Sequence, residues 1–183
     1  DGAGYSYAGT GGPTHQYSGA SHGGRGGNNG SGTGSSGPTY GSLTAPTDWG
    51  SGAKNKRGGG VILLTVSGTT AVNGIISANG DNATGSNWEG ASAGGSIYLT
   101  TASLTGSGTI RSNGGGPSGN YASGGGGGRI AVKLTTGTTF GSVTLTAYGG
   151  TKGVSGGRVG SAGTIYTKAS NQTNGELKVD NNG

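Results

Sequence analysis

Side chains that carry protons, charge or lone pairs are scarce in this sequence. Its acids are Asp1, Asp48, Asp81, Glu89, Glu176 and Asp180. A glycan-cleaving site needs two carboxylates at a fixed separation, or carboxylates with a metal and a base. Asp81 and Glu89 share one loop, with Trp88 beside them, and no acid recurs at equivalent positions on the outward strand faces. No catalytic residue is therefore assigned, and a non-enzymatic protein is expected. His15 and His22 would need a third ligand to hold zinc, and none lies at suggestive spacing. Neither a metal nor a cofactor is expected. The absence of Cys excludes thiolate metal sites, Cys nucleophiles and disulfides. The Gly runs are not phosphate cradles either, because that chemistry needs a helix after the turn. GGGGGRIAV, residues 124–132, leads into a strand pattern instead.

Binding chemistry is better represented. Tyr98 and Tyr166 fall at the same place in two repeated strands, and Trp49 and Trp88 lie in loops. Exposed rings stack on sugars and form contact surfaces, so these four are the candidate glycan or partner contacts. Asn29, Asn82 and Asn171 open Asn-X-Ser/Thr sequons, the candidate glycosylation sites. The formal net charge is +5, yet Lys54, Lys56 and Arg57 form the only tight basic cluster. Nucleic-acid binding calls for basic clusters interleaved with aromatics, so no nucleic-acid partner is expected.

The elements that must position these residues are strands. After residue 57 one pattern occurs four times, a short alternating run, a turn with one apolar plug, and a second short run. Ile62, Ile97, Ile130 and Ile165 mark the first run at spacings of 35, 33 and 35 residues. Ile76, Ile110, Leu145 and Val179 mark the second at 34, 35 and 34. Val72, Leu104 and Phe140 are the plugs. Alternation with period two puts the apolar set on one face. A two-stranded unit cannot bury that face alone, but stacked units share one core. The expected fold is all-β, a parallel β-helix-like solenoid of four two-stranded repeats (58–92, 93–125, 126–161 and 162–183). An antiparallel β-sandwich is the alternative. Equivalent Ile and Leu residues would then stack about 4.8 Å apart. Asn79, Asn113 and Asn181 end the second runs and predict a side-chain ladder, broken where Tyr148 takes the place.

Residues 1–57 are rich in Gly and carry three of the four Pro but almost no strand pattern. An extended, polyproline-II-like cover lying on the solenoid is expected there. Gly contributes 49 residues, apolar types 27% and charged types 9%, so any core must be thin. No run approaches a membrane span and no secretory leader is visible. A chain that opens on Asp1 reads as processed or cut from a longer one.

The runs YGSLTAPTDWGSG, GGGVILLTVSGTTAVNGIISANG, AGGSIYLTTASLTGSGTI and above all GGGGGRIAVKL resemble a glycine-rich tandem-repeat module of very large secreted or surface proteins of bacteria and archaea. The resemblance covers nearly the whole chain. It implies an extracellular or cell-surface setting and a tandem arrangement, and it implies no reaction.

No amphipathic helix is present to cap either end of the expected solenoid, and exposed strand edges invite pairing. The expected function is that of a structural subunit of an extracellular filament or fibrous surface layer, joined head to tail to copies of itself or to neighbouring repeats. An adhesin or glycan-binding fibre module is the alternative.

Overall fold

A computed structural model describes residues 3–6, 9–84 and 88–182. Asp1 lies outside the described residues. The described residues form ten strands, β1 (Ala3–Ser6), β2 (Arg57–Gly59), β3 (Val61–Ala71), β4 (Ile75–Ser77), β5 (Ser96–Thr105), β6 (Thr109–Arg111), β7 (Arg129–Leu134), β8 (Thr144–Thr146), β9 (Thr164–Lys168) and β10 (Glu176–Lys178). A five-stranded sheet runs in the order β10-β9-β7-β5-β3 and a three-stranded sheet in the order β4-β6-β8. Within both sheets every pair except β10–β9 is parallel. The fold is a β-solenoid of about three turns, and parallel pairing sets the sandwich alternative aside.

Register follows the sequence period. Ile62, Ile97, Ile130 and Ile165 are successive partners across the large sheet. Ile76, Ile110 and Leu145 are successive partners across the small one. Between the sheets lies the core of Ile97, Leu99, Ile110, Ile130, Val132, Leu134 and Ile165, with Val72 and Leu104 buried as plugs and Phe140 packed beside them. Each such side chain withdrawn from water contributes about 1.5–3 kcal/mol, and so few of them leave much of the stabilisation to the backbone.

That backbone contribution comes from the third face of each turn. Residues 123–128 donate to three neighbours in rotation. Ser123 and Gly126 donate to the carbonyls of Tyr17 and Ala20, at 2.9 and 2.8 Å. Gly124 and Gly127 donate to Arg158 and Ser161, both at 3.0 Å. Gly125 and Gly128 donate to Gly115 and Ser112, at 3.1 and 2.7 Å. A three-residue rotation is the helical repeat of polyproline II. Residues 91–96 repeat it, donating in turn to Ser123, Asp81, Ser51, Gly126, Ala78 and Gly60. The N-terminal segment is thus part of a lattice of extended strands, paired laterally through the carbonyls of Tyr17, Ala20 and Ser51 and through the N–H groups of Gly19, Ala20, Gly24 and Gly27. Interior positions leave no room for a side chain. A Cβ on Gly125 would collide with the carbonyl oxygen of Ser92.

Two expectations need correction. The second run of the fourth repeat does not join the small sheet. β10 folds back antiparallel on β9, with Leu177 opposite Tyr166. Val179 is therefore 62% exposed and is no member of the core ladder. Side-chain bonds close the reversing turn. Ala169 N–H donates to Gln172 Oε1 at 2.8 Å, and Gln172 Nε2 to Glu176 Oε1 at 2.9 Å. Among the described residues no further turn lies beyond Val179, so a place over Leu145 would recover only part of its burial. The Asn ladder also differs. Each amide oxygen accepts a backbone N–H of the next turn, Asn113 N–H to Asn79 Oδ1 and Tyr148 N–H to Asn113 Oδ1, both at 2.8 Å. Tyr148 receives its rung through the main chain but carries no amide to accept the next one, and Asn181 instead accepts the N–H of Gly149 in the turn before it. Asn82 adds a parallel rung by accepting Gly116 N–H at 2.7 Å.

Gly125→Ala is expected to cost at least about 3 kcal/mol in denaturant-unfolding free energy, the range of an overpacked interior. Gly68→Ala, where a Cβ meets nothing within 4 Å, is expected to change stability by less than about 0.5 kcal/mol.

Candidate functional site

The two ends of the solenoid carry the outermost strands of its two larger sheets. At the head, β3 is the outermost strand of the large sheet and β4 of the small one. Among the described residues no strand pairs the outer edge of either. The end of the core is open to water there. Ile62, Leu64 and Ile76 are half-buried, and Leu63 and Ile75 are exposed, whereas Ile97, Leu99 and Ile110 one turn on are 0% exposed. Beside these edges lies a polar trough of about 410 Å³ lined by Arg57, Ser77, Asn79, Asp81, Asn82 and Arg111. Arg57 pairs with Asp81 at 3.6 Å, and Arg111 Nε donates to Ser77 Oγ at 3.3 Å. The rung that Asn113 and Tyr148 receive from the turn before them has no counterpart at Asn79 N–H.

At the tail, β8 is the last strand of the small sheet, while the large sheet continues through β9 and β10. Leu145 and Val143 stay half-buried, and Leu177 and Val179 are exposed.

The candidate aromatic contacts fall in separate places. Tyr98 and Tyr166 lie on the outer face of the large sheet in one row, Leu63–Tyr98–Ala131–Tyr166–Leu177, because these five are successive register partners. Lys133 Nζ donates to the Tyr98 hydroxyl at 3.1 Å, which holds that phenol below its usual pKa. Trp88 belongs to the Gly-rich face, edge-on to Tyr17 and Tyr121 with ring centroids 6.0 Å apart in both pairs. Trp88 and Tyr121 both have left-handed backbone, φ 51° and 58°. Trp49 is exposed, and its carbonyl accepts the Tyr40 hydroxyl at 2.6 Å. Asn171 is exposed and Asn82 lies on the trough. Asn29 is a correction: it is buried, its Nδ2 donates to Thr33 Oγ1 and its Oδ1 accepts Thr33 N–H, so the folded chain withholds this sequon. Glu89 is buried away from the Arg57–Asp81 pair, and among the described residues no three His, Cys, Asp or Glu side chains gather to hold a metal ion.

Sequence reasoning missed the clamp that fastens residues 22–48 to the large sheet. Arg129 occupies an outward position of β7 yet is buried. Its Nε donates to the Tyr40 carbonyl at 2.7 Å and its Nη1 to Thr164 Oγ1 at 3.0 Å. Ser96, its register partner, donates to the Asp48 carbonyl at 2.6 Å. His22 is fully buried beside it, with Nδ1 2.8 Å from the Gly94 carbonyl and its ring 4.7 Å from that of Tyr40. Its Nε2 finds no protein partner among the described residues. The tips converge on Gly41, where a Cβ would lie 2.9 Å from Asp48 Oδ2 and 3.3 Å from both Arg129 Nε and His22 Nε2. The only visible signal was a lone Arg at an outward position between Ser96 and Thr164.

The sequence matches no protein-family model, and no curated protein and no solved structure is significantly similar to it.

Burial, reinforced by the Arg129 charge and only partly opposed by the Gly94 hydrogen bond and Asp48, lowers the His22 pKa from 6.5 to about 4. The folded chain keeps His22 neutral, while the unfolded chain takes up a proton near pH 6.5. Stability from this group is complete above pH 6.5 and falls as the pH drops toward 4, by about 3 kcal/mol in all. Unfolding free energy measured between pH 7 and 5 is expected to decline in the wild type and to stay nearly level in His22→Gln.

Proposed function

We propose that the chain is a structural, non-enzymatic building block of an extracellular filament or fibrous surface layer, its copies joined head to tail through open β edges. The observation that carries this reading is the head. An unpaired strand of 11 residues borders a core whose last layer is half in water. The next layer of the same residues, Ile97, Leu99 and Ile110, is fully buried. Edge strands of soluble proteins are usually short, charged or covered, and β3 carries no charged residue. Tail and head surfaces differ, so the contact is heterologous, and a heterologous contact that does not close a ring propagates as a fibre. Low charge keeps repulsion between copies small. The glycine-rich surface-protein resemblance agrees with an extracellular setting, and no helix of the described residues is long and apolar enough to cross a membrane.

Negative-stain microscopy over a concentration series is the test. Uniform fibres with a regular axial repeat are expected. Leu63→Lys with Ile75→Lys, both at exposed positions, should leave the monomer folded and raise the concentration needed for fibres by at least about tenfold. Monomers at every concentration would remove the filament reading.

The outer row Leu63–Tyr98–Ala131–Tyr166–Leu177 favours a second reading, a glycan-binding face on the side of the fibre. Tyr98 and Tyr166 sit two strands apart, roughly 9.5 Å at the ordinary strand spacing, and both rings are partly exposed. Tyr98→Ala with Tyr166→Ala is expected to abolish any signal on a glycan array while sparing fibres; an unchanged signal would remove this reading, and Trp88→Ala and Trp49→Ala would then be the next substitutions.

A further inference from the structure

The tail segment has a pattern at odds with its place. In β10 Leu177 faces outward opposite Tyr166, and Lys178 lies opposite the inward Ile165. Leu177 and Val179 are thus turned to solvent, while Glu176 and Lys178, themselves exposed, take the alternate positions on the side of Ile165. Such an arrangement is one residue out of step with what burial favours.

Set on the small sheet, the same residues are in step. Lys178-Val179-Asp180 would follow Thr144-Leu145-Thr146 as that triplet follows Thr109-Ile110-Arg111 and Ile75-Ile76-Ser77. The connection is long enough. Thr65 to Ile76, Thr100 to Ile110 and Lys133 to Leu145 span 11, 10 and 12 residues, and Lys168 to Val179 spans 11. The receiving edge is open, since β8 ends the small sheet with Leu145 half-buried.

The shape of the ends gives the move a purpose. The head is level, because β3 and β4 close the two sheets at the same turn. The tail is stepped, because the large sheet runs two strands past β8. A stepped tail cannot meet both edges of a level head. With residues 176–182 laid on β8, the large sheet ends at β9 and the small sheet at the new strand, and the tail becomes level.

We propose that residues 176–182 have two places, the hairpin on β9 in the free chain and a parallel fourth rung on β8 when the head of a second copy closes that end. The proposal rests on the filament reading for its driving partner. In the free chain either place leaves one side of Val179 in water. The end layer of a second copy, Ile62 and Ile76, covers that side only in the parallel place, and a differential contact of this kind is what shifts a two-state equilibrium. With Val179 over Leu145, Asn182 takes the place over Tyr148 and would then receive the Asn79 N–H of the incoming copy, the bond that Asn79 and Asn113 make within the chain, while Asn181 would give up the Gly149 N–H that it now accepts at 2.7 Å.

The chain has no Cys, so paired thiols report without background. Tyr166→Cys with Leu177→Cys joins register partners of the hairpin and locks it. Leu145→Cys with Val179→Cys can close only in the parallel place. The oxidised hairpin lock is expected to stay monomeric at concentrations where its reduced form makes fibres. The 145–179 disulfide is expected in fibres at a yield at least about tenfold above that in dilute chain. Fibres from the oxidised hairpin lock would overturn the proposal and leave the filament reading standing. Should no condition give fibres, the filament reading fails, and prolonged oxidation of the dilute 145–179 variant decides the two-place proposal: an intramolecular disulfide supports it, and free thiols overturn it.

Discussion

The close lateral approach of backbone to backbone is the constraint on which this molecule depends. Residues 91–96 and 123–128 spend their N–H groups on three neighbours in rotation, with only Gly, Ala and Ser before the strands begin and Gly wherever a Cβ would strike a neighbouring carbonyl. A β-sheet shares hydrogen bonds in one plane; the Gly strands share them around an axis. A chain with 27% apolar residues thereby builds a second cohesive body, parallel to its thin apolar core and fastened to it at every turn. Each lateral bond contributes only about 1 kcal/mol net, so the body is stable by number and regularity rather than by any single contact.

Side chains enter this lattice where it meets the sheets, and there they act as clamps. Arg129 reaches through the cover to the Tyr40 carbonyl and across to Thr164. Ser112 Oγ donates to the Gly95 carbonyl at 2.8 Å, beside the Gly128 N–H that donates to Ser112 main chain. His22 fills the remaining space as a neutral ring. An imidazole there can keep one nitrogen against Gly94 and leave the other bare, at a desolvation cost that a charged side chain without a partner would multiply. The cover is therefore held on by polar groups suited to neutral solution and is sensitive to acid at one identifiable residue.

The solenoid and its register were legible in the sequence because two independent markers kept one period. Ile62 to Ile165 and Ile76 to Leu145 each repeat an inward position, and a slip of one residue would have turned every apolar side chain outward. The extended character of the N-terminal segment was legible from Gly content, but its pairing was not, since Gly carries no side chain by which to tell one neighbour from another. Arg129 and His22 were hidden for the opposite reason. Each is a single polar residue whose partners, Tyr40, Thr164 and Gly94, lie 89, 35 and 72 residues away. Val179 shows where periodicity overreaches. Its spacing is that of a core residue, yet burial in a solenoid needs a layer above as well as a layer below.

That last point generalises to both ends. A repeat inside the stack is stabilised twice, by the turn before and the turn after, whereas an end repeat is stabilised once. Ile62 and Ile97 have the same residue type, the same strand position and the same inward direction, and they differ only in how many neighbours cover them. The hairpin and the half-wet head are thus two expressions of one deficit. At the head the deficit leaves a level, uncharged edge with Asn79 N–H unclaimed; at the tail it leaves Leu177 and Val179 facing water. On the filament reading proposed above, a second copy would answer both at once, because what each end lacks is the next turn of the same repeat.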